Sequence, residues 1–357
     1  MSEQLALPVQ PRSPVLELRD ALEADWPHIL AARERAARMY ERVQILSYPF
    51  VPRDTSLVLF GSLARAEFTH GSDVDWTLLV DGPADPDHWD LTQRLRSKFT
   101  AARIKPPSPG GPFGRLTFSH DLIHRIGGDN DTNQNTTQRL LLLLESRPTS
   151  NRDAYDRVIA NVLTRYVEED LLGPAESPFR VPRFLLNDFA RYWRTMAVDF
   201  AHKRRERQAD QWAVRTTKLR FSRKLLHTAG LLSCFLCREA FKEEKSVARF
   251  HDAKLVVDYL ARLLGTTPLD IVARVVLDYF GKDSGAANRL FGAYDSFLGL
   301  LDDEDKRERL KNLSPGDADS DPLYREASAL GKAFQDALGE IFFSEPLRDF
   351  TIRYGVF

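Results

Sequence analysis

Ser56–Val80 reads SLVLFGSLARAEFTHGSDVDWTLLV, and the fold turns on how this stretch divides. Leu57–Phe60 is a short apolar run and predicts a strand. Gly61-Ser62 breaks it. Leu63–Phe68 reads as a helical piece and Thr69–Ser72 as a turn. Asp73-Val74-Asp75 then leads into Trp76–Val80, a second strand. Side chains alternate along a strand, so Asp73 and Asp75 project from one face. Adjacent carboxylates repel each other unless a cation sits between them. All-oxygen ligands with room left for water and phosphate suit Mg²⁺, with Mn²⁺ as a substitute. Gly61 allows close approach of the backbone to a ligand. Ser62 opens a helical piece, where free N–H groups attract an anion.

The remaining composition bounds the answer. The chain has 357 residues, enough for two domains, with 43% hydrophobic and 28% charged residues, an ordinary globular balance. A formal net charge of −1 means that any basic site must be local. The two cysteines, Cys234 and Cys237, stand in an apolar helical run and read as small buried hydrophobes. Their scarcity fits a reducing cytoplasm. No apolar stretch has the roughly 20 residues that a membrane-spanning helix needs. Residues 1–15, with Pro8, Pro11 and Pro14, read as a flexible lead-in.

Leu16–Val43 predicts one or two helices packed on the sheet, with Pro27 opening the second. Asp85 and Asp87 flank a proline and read as a solvated loop. Lys105–Gly114 is a Pro/Gly loop bordering the site. Arg115–Ile126 predicts a strand, with Asp121 its only acid and with His120 and His124 nearby. Gly127–Thr137 is dense in small polar residues that can cap the Leu-rich helix Gln138–Glu145 or bind a ligand. Pro148–Arg152 reads as a domain boundary, and the remainder predicts only helices. The most basic segment, Lys203–Lys224, holds Lys218, Arg220 and Arg223. On an α-helix Arg220, Arg223 and Lys224 would share a face. That face is either solvated or holds a triphosphate, and both readings stay open here. No stacking-aromatic pattern adjoins the cluster, so nucleic acid is not the favoured partner.

The pattern Gly61-Ser62, Arg65, Glu67, Gly71-Ser72 and Asp73-x-Asp75 resembles the nucleotidyltransferase superfamily of the DNA polymerase β type. Gly-Ser-Leu-Ala-Arg-x-Glu is similar to its bacterial protein-modifying branch, which includes the uridylyltransferase of the PII signalling protein; Ala66 stands where that branch usually has Gly. The helix end Leu143-Leu144-Glu145-Ser146-Arg147 is similar to the same branch. The likeness covers about residues 50–150. It implies an α+β fold, with a mixed sheet flanked by helices in a catalytic domain (16–150) and an all-helical domain behind it (151–357).

The resemblance also implies chemistry. Asp73 and Asp75 would bind Mg²⁺, completed by a third carboxylate on a later strand. Asp121 is the candidate and Asp131 the runner-up; a turn or a helix cap accounts for either as well. Gly61, Ser62, Arg65 and Ser72, with Lys218, Arg220 and Arg223, would hold an NTP such as ATP. An NMP would pass to a hydroxyl, on a protein side chain in the favoured version, with release of pyrophosphate. Synthesis of a nucleotide messenger and transfer to tRNA or to a small molecule such as an aminoglycoside are the alternatives. A non-catalytic nucleotide-binding regulator is another.

Overall fold

Apolar runs bounded by polar turns give four strands: β1 (Thr55–Phe60), β2 (Asp75–Val80), β3 (Arg115–Phe118) and β4 (Ser146–Pro148). They form one mixed sheet in the order β3-β2-β1-β4. β1 is antiparallel to β2 and β4, and β3 runs parallel to β2. All six residues of β1 are buried, as expected of a central strand covered on both faces. The computed structural model describes residues 12–48, 51–109, 111–171, 181–206, 211–240, 252–281 and 284–355. The expected lead-in lies outside these as far as residue 11, as do the side chains of the basic run Lys203–Arg207.

Alternation along β1 and β2 divides the interior. Leu57, Leu59, Trp76 and Leu78 enter a small core shared with α2 (Pro27–Ser47) and with the helix Pro86–Ala101, whose Phe99 meets Trp76 edge-on. Val58, Phe60 and Leu79 face the other way, into a larger core that continues through the helical remainder as far as Phe350. The chain does not divide into separate cores at Pro148–Arg152. β4 ends at Pro148, and the next helix starts at Arg152 beneath the same sheet face.

The N-terminal helices also bridge the two regions. α1 (Pro14–Ala21) starts earlier than the lead-in reading expects, with a proline in its first turn. It packs on a C-terminal helix, Pro268–Tyr279, rather than on the sheet. The buried Asp270 accepts from Ser13 Oγ (2.5 Å) and from the Val15 N–H (3.2 Å), which ties α1 down. Pro27 does open α2, whose buried face meets both the sheet-side core and the helix Gly285–Asp302.

The strand expected over Arg115–Ile126 is shorter than its composition suggests. β3 stops at Phe118, and Ser119–Ile123 forms a short helix that buries Leu122 and Ile123. Among the described residues every element after β4 is helical.

Candidate functional site

Gly61 ends β1 with φ +65°, and α3 (Gly61–Ala64) is a single turn. A Cβ built on Gly61 would lie 2.8 Å from Asp75 Oδ2, so only glycine lets the backbone lie this close to the carboxylate. Ser62 follows on the same turn, half-buried. The helical piece expected as far as Phe68 therefore ends four residues early. Its exit runs through Ala66 at φ +58°, the position where the resembled branch carries Gly. A left-handed non-glycine residue costs about 1–2 kcal/mol. After the extra freedom that glycine gives the unfolded chain, Ala66→Gly should raise stability by about 0.5–1 kcal/mol, read from the denaturant midpoint.

Asp73 lies two residues before β2 and Asp75 opens it. Ser108 Oγ, from the Pro/Gly loop, donates to Asp73 Oδ2 at 3.2 Å, so that loop does border the pair. Burial, then repulsion from Asp73 and Glu145, pushes the Asp75 carboxyl up to about 7, against the pull of Arg223 and Arg65. The pair is electrostatically crowded.

The opposite wall comes from far along the chain. The helix Trp212–Lys218 runs into a π-helical turn, Leu219–Arg223, and then into the helix Lys224–Ala240. Lys218 stands just before this turn and Arg223 ends it, five residues apart as a π turn spaces them, and both feel the charge of the aspartates. Lys218 is exposed as a residue, yet local desolvation, reinforced by Arg223 and Arg65, lowers it below the usual lysine range, while Asp73 and Asp75 oppose that shift. Partial desolvation works against the charge of the half-exposed Arg223, but Glu145, Tyr192 and Asp75 hold it above the usual arginine range. π turns inside α-helices are frequent at functional sites.

Other expected residues lie elsewhere or do other work. Arg65 is buried between two carboxylates: its Nε donates to Glu67 Oε2 at 2.8 Å and its Nη1 to Glu145 Oε2. It is a buried strut and not an open phosphate contact. Ser72 Oγ is taken up by the Thr69 N–H at 3.1 Å and by Thr69 Oγ1 at 3.0 Å, closing the turn. Arg220 points away from the cleft, donating to Ser328 Oγ at 2.8 Å and lying over the Tyr324 ring. The π turn is the reason: it breaks the α-helical spacing that would have put Arg220 beside Arg223.

Neither candidate third carboxylate reaches the pair. β3 runs parallel to β2 with Phe118 opposite Val80, so Asp121, three residues further on, leaves at the far end of the sheet from Asp75. There it pairs with Arg125 at 2.7 Å, half in solvent. Asp131 is buried and held by both terminal nitrogens of Arg139, at 3.1 and 2.8 Å. At the Asp75 end, β3 begins with Arg115, in register with Thr77, and brings no acid. Among the described residues no three His, Cys, Asp or Glu side chains gather as a metal cluster.

Glu145 also belongs to this cluster, although spacing alone does not single it out. It ends the Leu-rich helix Asn133–Leu144 and precedes β4. Its side chain is 1% exposed, and its second oxygen meets Arg223 Nη1 at 3.4 Å. A lone Glu closing the apolar run Leu140–Leu144 is the signal the sequence carries. The site thus sets Asp73 and Asp75 within electrostatic reach of Glu145, Lys218 and Arg223, with Arg65 and Glu67 buried behind Glu145. No helix among the described residues is long and apolar enough to cross a membrane. No protein-family model matches the chain, and no curated protein matches it in sequence.

Proposed function

We propose that this chain is a metal-dependent nucleotidyltransferase of the DNA polymerase β type. It moves a nucleoside monophosphate from an NTP to a hydroxyl acceptor and releases pyrophosphate. One observation carries the reading: Lys218, just before a π turn, and Arg223, at its end, interact with a crowded aspartate pair, of which Asp75 opens a strand beside Gly61-Ser62 and Asp73 lies two residues before it. That is the charge arrangement a metal-bound triphosphate requires.

The residues fit Mg²⁺ or Mn²⁺, which take one or two carboxylates and leave other positions to water and phosphate. Bound there, the ion would neutralise phosphate charge during an in-line displacement. Asp73 and Asp75 would hold it, with Ser108 steadying Asp73. Lys218 and Arg223 would bind the phosphates that leave. Gly61 supplies backbone room, and Ser62 a hydroxyl at the same turn. The acceptor oxygen bonds to the α-phosphorus and gives its proton to water, while the bond from the α-phosphorus to the α–β bridging oxygen breaks and pyrophosphate leaves with that oxygen. We take the acceptor to be a protein side chain, in a reducing, NTP-rich cytoplasm.

A second reading, a nucleotide-binding regulator without turnover, has one observation in its favour. The strand beside β2 offers Arg115 and no third carboxylate. Incubation with each α-labelled NTP and Mg²⁺ or Mn²⁺, in the presence of cell extract, separates the two. Protein-bound label that disappears in Asp73→Ala/Asp75→Ala is the expected result. Label on RNA or on a small product would replace the acceptor assignment, and NTP binding without transfer would favour the regulator.

A further inference from the structure

Glu67, Arg65, Glu145 and Arg223 form a chain of contacts that runs from the interior to the cleft. Glu67 Oε2 fixes Arg65 Nε at 2.8 Å, Arg65 Nη1 fixes Glu145 Oε2, and Glu145 Oε1 meets Arg223 Nη1 at 3.4 Å. Exposure rises only at the last link: the Glu67, Arg65 and Glu145 side chains are 1%, 7% and 1% exposed, whereas Arg223 is 41% exposed. Three members are therefore locked, and the fourth presents its guanidinium to the site. Glu145 is locked by backbone as well, because the pairing of Phe60 with Ser146 sets it beside Gly61.

We infer that Glu145 is a positioning residue: anchored by Arg65 through one carboxylate oxygen, it uses the other to aim Arg223 at the leaving phosphates of a bound NTP. The inference rests on the nucleotide reading above. An arginine has several rotatable bonds, and a phosphate ligand must otherwise immobilise them at an entropic cost. Glu145 holds one nitrogen and Tyr192 also bonds to Arg223, which fixes the guanidinium while other N–H groups of the fork remain for phosphate. The benefit is confined to ligands that reach Arg223, so it should favour triphosphates over monophosphates.

The test uses the full chain with Mg²⁺, titrated with the α,β-methylene analogue of ATP and, separately, with AMP. Glu145→Gln keeps the shape and removes the charge. It should weaken the triphosphate analogue about tenfold, a factor worth about 1.4 kcal/mol, and leave AMP binding unchanged. Arg223→Ala should do the same, and the double variant should bind no worse than Arg223→Ala alone. Additive losses, equal losses for AMP, or tighter binding in Glu145→Gln would each overturn the inference. Should Glu145→Gln not fold, Arg223→Lys replaces it: the charge stays, the fork is lost, and the same loss of triphosphate preference is expected. Wild-type protein that binds the analogue no better than AMP would overturn the nucleotide reading, and this inference with it.

Discussion

Asp75→Asn should stabilise the metal-free protein by about 2–4 kcal/mol at about pH 8.5 and leave it unchanged near pH 4. The sign follows from the direction of the shift. The folded carboxyl titrates at about 7 against 3.8 for the free group. Between those values the folded chain binds more protons than the unfolded chain. Stability is therefore fully present at low pH and falls as pH rises through that window. Above it, the folded protein carries a crowded carboxylate whose full cost is about 4 kcal/mol for about three pKa units, reduced by solvent screening at the cleft mouth. Asn keeps the shape and removes the charge. Urea denaturation in EDTA at the two pH values measures the difference. A gain of equal size at both, or no gain at either, would mean that burial, with Asp73 and Glu145 beside it, does not raise this carboxyl.

Loss of Arg139 should produce the largest stability change, about 3–5 kcal/mol for Arg139→Leu, because removing one partner of a buried ion pair strands the others. Arg139 is fully buried. Its Nε donates to Tyr166 Oη at 2.7 Å, and its Nη2 reaches Asp131 at 2.8 Å and Asp188 at 3.2 Å. Tyr166 in turn donates to Asp188 at 2.5 Å. Burial works against the guanidinium charge, but Asp131 and Tyr166 hold it above the usual arginine range. This network joins the polar loop before the Leu-rich helix to Arg152–Leu171 and Arg183–Glu206. Asp131→Asn should likewise lower the denaturation midpoint of metal-free protein and leave Mn²⁺ affinity unaltered. A variant that lost Mn²⁺ at unchanged stability would restore Asp131 as a ligand.

The two central strands and the Gly61 turn were legible because each signal is local. An apolar run, a glycine and an acid pair at strand spacing need no distant information. The later strand was harder, since Leu122, Ile123 and Ile126 carry on among polar residues past the point where β3 ends, and Ser119 begins a helical turn that composition alone does not mark. Asp121 went with it. The basic cluster was visible as composition, but its geometry was not. Counting at i, i+3 and i+4 groups Arg220 with Arg223, whereas the π turn pairs Arg223 with Lys218 and sends Arg220 to Tyr324. Arg65 looked like a phosphate ligand because nothing local reveals that Glu67 and Glu145 enclose it. The junction after β4 likewise marks a change of secondary structure and not a gap in packing.

The account rests on Asp73 and Asp75 holding a divalent ion next to a triphosphate. Mn²⁺ uptake, followed by the loss of the free-ion paramagnetic resonance signal, tests it most directly. Wild-type protein with the α,β-methylene analogue of ATP should bind more Mn²⁺ than protein and nucleotide measured separately, and Asp73→Asn/Asp75→Asn should abolish the excess. Equal uptake by wild type and the double variant would contradict the account.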